Sequence, residues 1–172
     1  MTQTLKPPYL WLIRGAIAAD FTHAEPGSLM RRAIDVASPE GLLWVETAQK
    51  DAPALSGASE TSTFTLARDV GDAAGAPSFI YMVQTDIPAD VVEEYTRWYD
   101  EEHLPRLVRV PGILRARRYE AVKAQPFYLT AYDLCDVNAF ESPQGLVARK
   151  TPWTERMRSK FFNARRSTWR LT

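Results

Sequence analysis

The sequence predicts an α+β barrel made from two copies of one strand-and-helix plan, the first copy degenerate and the second complete. Three observations support this. A short apolar and aromatic run, Tyr9-Leu10-Trp11-Leu12-Ile13, returns about seventy residues later as Phe79-Ile80-Tyr81-Met82-Val83, each suited to a strand. Two more pairs follow in the same order. Pro39-Glu40-Gly41-Leu42-Leu43-Trp44-Val45-Glu46 resembles Pro111-Gly112-Ile113-Leu114-Arg115-Ala116-Arg117-Arg118, and Thr63-Phe64-Thr65-Leu66-Ala67-Arg68-Asp69 resembles Phe127-Tyr128-Leu129-Thr130-Ala131-Tyr132-Asp133. Residues 78–172 also read as strand, helix, strand, strand, helix, strand, which is the ferredoxin-like order. One such sheet leaves an apolar face uncovered. The halves, 1–77 and 78–172, are therefore expected to stack into one compact unit.

In the complete half, a strand at 79–85 leads into a helix at 88–103, with Pro88 in the first turn, where a missing N–H costs nothing. Val91, Val92, Tyr95, Trp98, Tyr99 and Glu102 recur at spacings of three and four, giving that helix an apolar, aromatic stripe. Pro105 is expected to stop it. Strands at 113–122 and 127–134 follow, then a helical stretch broken by Pro143 and Pro152 and reaching 163, then an edge strand at 167–171. In the first half the strand at 9–13 precedes a short helix at 28–37. There, 51–59 reads as an Ala/Ser/Gly loop, and a Gly/Ala linker at 69–77 stands where the second helix belongs.

Composition narrows the partners. The 172 residues carry 21 basic and 21 acidic side chains, so no global field favours nucleic acid or an anionic membrane. Cys135 stands alone and is expected to be buried near a strand end; it supports neither an internal disulfide nor a cysteine zinc cluster. With His23 and His103 the only histidines, no metal site is expected. The stretch 9–19 after Lys6 loosely resembles a secretory signal, but Arg14 interrupts it and it is too short to span a bilayer. It reads as a buried strand of a cytoplasmic protein. The basic tail from Arg149 to Arg170, interleaved with Trp153, Phe161, Phe162 and Trp169, reads as helix-end charge over inward-packed rings rather than a nucleic-acid surface.

The candidate chemistry lies in Trp98-Tyr99-Asp100-Glu101-Glu102-His103-Leu104-Pro105. Histidine titrates nearest neutrality, so His103 is the natural proton carrier, with Tyr99 one turn earlier on the same face. Glu102 or Asp100 could orient the imidazole; alternatively the ring simply ends a helix against a backbone carbonyl. Trp98 reads as core or pocket wall, and Tyr81 and Tyr119 supply phenols from strands. Arg14, a charge within an apolar strand, either pairs with Glu46 or holds a substrate carboxylate or phenolate.

Trp98-Tyr99-x-x-Glu102-His103-x-Pro105, Val110-Pro111-Gly112 and Arg118-Tyr119 together resemble the signature of the EthD-like branch of the dimeric α+β barrel superfamily. Glu141-Ser142-Pro143 and Thr151-Pro152-Trp153-Thr154-Glu155-Arg156-Met157 resemble the second-helix region of its bacterial members. The resemblance implies an apolar cleft between helices and sheet that takes small aromatic or unsaturated ring compounds. With no cofactor motif in the chain, it implies a cofactor-independent enzyme: a lyase or decarboxylase of aromatic catabolism, with isomerase, cyclase or cofactor-free monooxygenase chemistry as alternatives. His103 and Tyr99 would be catalytic, and Arg14, Trp98, Tyr81 and Tyr119 would bind substrate. Heme binding is possible for this fold, and a non-catalytic small-molecule binder is the remaining alternative. Since Arg31-Arg32 stands where the repeat would put a second histidine, one cleft is expected per chain, in a monomer or homodimer.

Overall fold

The computed structural model describes residues 6–72 and 75–172. Its strands are β1 (Tyr9–Gly15), β2 (Leu29–Asp35), β3 (Gly41–Thr47), β4 (Ala58–Gly71), β5 (Phe79–Asp86), β6 (Ile113–Ala121), β7 (Tyr128–Leu134) and β8 (Phe162–Leu171). They close into a barrel in the order β1-β3-β2-β8-β5-β7-β6-β4. Started at β4, that circle reads β4-β1-β3-β2 and then β8-β5-β7-β6. Each half thus runs fourth, first, third, second in its own numbering, and the ferredoxin-like sheet occurs twice. The halves meet at two antiparallel seams, β2 on β8 and β4 on β6.

The first half has the sheet without the helices. Residues 28–37 form β2 rather than a helix. Leu29, Met30, Ala33 and Ile34 fall at a spacing that suits either element, and pairing with β3 on one side and β8 on the other decides it. The run at 39–46 is consequently the third strand of its half, not the second, and 63–69 belongs to the fourth. Loops at 16–28 and 48–57 occupy the helices' places. Ile17, Phe21, Ala52 and Leu55 from these loops cover the outward-facing Trp11, Ile13, Leu43 and Val45. Of the expected Gly/Ala linker at 69–77, residues 73 and 74 lie outside the described residues, and β4 itself runs on to Gly71.

Strand alternation fills the barrel interior. Leu10, Leu12, Trp44, Phe64, Met82 and Trp169 are among the buried side chains that meet there. Towards one mouth the interior turns ionic. Fully buried Arg117 pairs with both Glu46 and Asp133, Arg31 pairs with Asp133 at 2.8 Å, and Arg115 forks onto Asp69 at 2.7 and 2.9 Å. A buried guanidinium is tolerated only with such partners.

In the second half the helical path starts with a 3-10 turn (Ala89–Val91) and continues as α1 (Val92–Arg97), a π-helical stretch (Trp98–His103) and α2 (Leu104–Leu107). Pro105 therefore does not stop the helix. It sits in the first turn of α2, where no N–H is needed. The chain turns instead at Gly112, whose φ of 96° is left-handed. The second helical region is α3 (Pro143–Arg149) and α4 (Pro152–Arg158) and ends earlier than its composition suggests. The last strand is correspondingly longer and has no free edge: β8 pairs β5 on one side and β2 on the other. Cys135, expected to be buried, is exposed just beyond β7.

Candidate functional site

Residues of β5, β7 and β8 that point away from the barrel meet the second half's helices. Between these layers lies a cavity of about 210 Å³, lined by Tyr81, Trp98, Tyr99, His103, Tyr132, Phe140 and Phe161 and edged by Glu141, Arg149, Arg158 and Arg166. Tyr81 stacks with Tyr132 on the sheet side at 6.1 Å, and Phe140 leans on both rings at 5.0 and 5.1 Å. Four of the residues singled out from sequence, His103, Tyr99, Trp98 and Tyr81, are brought together here.

Their geometry depends on the π-helical stretch. The N–H of Leu104 donates to the carbonyl of Tyr99, a five-residue step. The wider turn accommodates Pro105, which cannot donate to the carbonyl of Glu101 and would crowd it in a regular α-helix. It also places residue 98 rather than 99 directly beneath residue 103. The imidazole of His103 stacks on Trp98 with centroids 4.2 Å apart and planes 28° from parallel, while Tyr99 meets it edge-on at 5.3 Å.

The site holds its acid and base groups uncharged. His103 is 5 % exposed, and its Nδ1 has no hydrogen-bond partner among the described residues. Burial, helped by the positive charge of Arg158, pulls its pKa down to about 3. The ring is thus neutral at physiological pH, and it takes up a proton only where a compensating negative charge arises beside it. Burial pushes the phenol of Tyr99 up, so it stays a donor. Its hydroxyl lies near those of Tyr95 and Thr130, neither of which makes a well-formed hydrogen bond. Tyr95, driven up well above its ordinary value by burial, is locked protonated as well.

Neither acidic neighbour orients the imidazole. Glu102 accepts a 2.6 Å hydrogen bond from Thr151, the residue that caps α4, and Asp100 lies 3.8 Å from Arg68. Thr154 in the first turn of α4 accepts from the indole Nε1 of Trp98 at 3.2 Å. The Thr-Pro-Trp-Thr segment is therefore a clamp. It fixes Trp98, and Trp98 fixes the plane on which His103 rests.

Two candidates lie elsewhere. Tyr119 points into the barrel beside Arg117 and packs edge-on against Trp44 at 5.8 Å, because alternation on β6 sends Arg118 and Glu120, not Tyr119, outwards. Arg14 also faces inwards, donating to Gln84 at 2.8 Å and lying 3.5 Å from Glu60, its partner across β4. Glu46, the expected partner, sits opposite Leu10 at the other end of β1 and serves Arg117 instead. Sequence reasoning missed the cavity roles of Phe140, Phe161, Arg158 and Arg166. For Phe161, Arg158 and Arg166 the interleaved aromatic and basic tail was the signal; Phe140, before that tail, had none.

No family model matches the chain, and no curated protein matches it in sequence. Solved structures match along nearly its whole length. A ferredoxin-fold protein of Listeria monocytogenes related to antibiotic biosynthesis monooxygenases superposes with a TM-score of 0.65 at 10 % identity, covering 96 % of this chain and 95 % of that one. The fold is the ferredoxin-like α+β barrel. A heme-degrading enzyme from the same organism gives a TM-score of 0.67 at 9 % identity, covering 95 % of this chain and 99 % of that one. An anthrone oxidase-like protein gives 0.59 at 11 %, with 99 % and 94 % covered. At such identities the likeness concerns the fold. Among the described residues no helix is long and apolar enough to cross a membrane.

Proposed function

We propose that this protein is a cofactor-independent lyase or decarboxylase of the EthD-like branch, acting by proton transfer on a small aromatic metabolite in aromatic-compound catabolism. One observation carries the reading: a neutral imidazole with an unpartnered Nδ1, stacked on Trp98 and flanked by a protonated phenol, inside an aromatic cavity. A volume of about 210 Å³ is below the roughly 300–1,000 Å³ of drug-sized ligand pockets, so it suits one or two fused rings and not a tetrapyrrole. A heme does not fit here.

In this mechanism His103 takes a proton from an acidic group of the substrate. The imidazolium so formed is disfavoured by burial and by Arg158. It is stabilised by the negative charge left on the substrate, so the two charges arise together in a dry site. Tyr99 donates a hydrogen bond to the developing oxyanion. Collapse of that anion breaks the substrate bond, and the proton on His103 is then available to the carbon that gains the electron pair. Trp98 and Tyr81 hold the ring through their faces. Arg14 and Tyr119, inside the barrel, are left to stability. Because the barrel closes within one chain, a monomer suffices.

The test is turnover of candidate aromatic acids, phenols and their ring-cleavage products by wild type and His103→Gln. Loss of at least a hundredfold in kcat, with the variant still folded, is expected; unchanged turnover would sink the mechanism. A second reading, a cofactor-free monooxygenase, is favoured by the likeness to the anthrone oxidase-like and monooxygenase-related proteins. It shares the first proton transfer and differs in needing oxygen. Activity that vanishes under argon and consumes oxygen otherwise selects it.

A further inference from the structure

The cavity's rim is electrostatically lopsided. It carries Arg149, Arg158 and Arg166 against one carboxylate, Glu141. That carboxylate is already engaged: both of its oxygens accept from Arg149 at 2.8 Å. The neighbouring arginines of the same tail are likewise neutralised, Arg156 by Glu94, and Arg165 with Glu60 within 3.8 Å. The guanidinium groups of Arg158, the last residue of α4, and Arg166, on β8, make no hydrogen bond or ion pair with any described residue. They come from separate elements and converge on one opening. Unpaired guanidinium groups on a surface are ordinary; two at the mouth of an aromatic cavity whose other charges cancel are not. The charge of Arg158 also reaches inwards, where it disfavours protonation of His103 and favours the ionised phenols of Tyr99 and Tyr132.

We propose that Arg158 and Arg166 form the anion-recognition end of the cavity and that the substrate is an aromatic carboxylate, its ring between Trp98 and Tyr81 and its carboxylate at the rim. This rests on the small-molecule reading of the cavity given above and adds its substrate class. A guanidinium presents a planar fork that matches a carboxylate's two oxygens, and charged hydrogen bonds are about twice as strong as neutral ones. The arrangement also bears on the proton step. A bound carboxylate offsets the charge of Arg158, so the imidazole becomes a better base once substrate is present.

The test is direct binding of benzoate, 1-naphthoate and the matching neutral amides to the full chain, followed by calorimetry and by quenching of tryptophan fluorescence. Wild type, R158Q, R166Q, the double variant and H103Q are compared. Both arginines are exposed, so their glutamine variants retain the fold. At least one acid is expected to bind about tenfold or more tightly than its amide, a preference that weakens with salt and disappears in the double variant while H103Q retains it. Equal affinity for acids and amides overturns the anion site and leaves the aromatic cavity standing. An acid preference that survives the double variant also overturns it, as does failure of every acid to bind at millimolar concentration. Because the readout is binding, failure of the proton-transfer mechanism appears separately, as turnover that persists in H103Q.

Discussion

Acidification should destabilise this protein through one side chain more than any other, and the size of the effect follows from the burial of His103. The ring's pKa is about 3 in the folded chain and about 6.5 when unfolded. Between those values the unfolded state binds the proton and the folded state does not, so stability is fully present above about pH 6.5 and is lost as pH falls towards 3. From about pH 7.5 to about pH 4.5 the unfolded state gains RT ln(101/1.1), roughly 2.7 kcal/mol, and the folded state almost nothing. The assay is urea denaturation at both pH values for wild type and His103→Gln. Other titrating groups are common to both proteins and cancel in the difference. Wild type should lose about 2.7 kcal/mol more than the variant on acidification. If the two lose equal stability, the imidazole is reached by water in solution and its neutrality at the site is refuted.

Other perturbations test the packing around the site and the barrel. Gly112→Ala forces a Cβ onto a left-handed backbone and to 2.9 Å from the Cβ of Ala139; a loss of about 2 kcal/mol is expected by urea denaturation. Arg117→Met leaves Glu46 and Asp133 buried without their shared cation, at about 3–5 kcal/mol, read as a lowered Tm. Thr151→Val removes the cap of α4 and the bond to Glu102, costing about 1–2 kcal/mol. Since it also loosens the clamp behind Trp98, kcat should fall more than KM rises. At lower pH, Asp69 becomes the controlling group. Arg115 and Lys6 hold its pKa at about 2 against the cost of burial, so its contribution is present above about pH 3.8 and is lost on falling through 2. Asp69→Asn should flatten the stability curve in that interval alone.

The legible parts of the fold are those where local pattern and tertiary demand agree. Tyr9–Gly15 and Phe79–Asp86 are short, apolar and flanked by breakers, and both are central strands of their sheets. Leu29–Asp35 misleads because its apolar residues satisfy helical spacing, and only neighbours far along the chain make it a strand. The start of β8 is hidden for the opposite reason: residues 162–166 are all exposed, so no alternation marks them. In the site, the aromatic stripe of Tyr95, Trp98 and Tyr99 carries its own signal. The inward turn of Tyr119 does not, because both faces of β6 are buried and either phase fits the sequence. Arg158 and Arg166 look like solvated charge until α4 and β8 are seen to border one opening.

The π-helical stretch holds one residue more than a regular helix would over the same span, and Trp98 and His103, five residues apart, share a face because of that surplus. Removing a single residue from 100–102 would bring them to a spacing of four, which an ordinary α-helix also sets on one face, so the stack itself should survive. Pro105 would lose its wide turn, and its ring would press on the carbonyl one turn earlier at a cost of about 3 kcal/mol. The surplus residue is thus the helical regularity given up to carry a proline through the helix just beyond the imidazole.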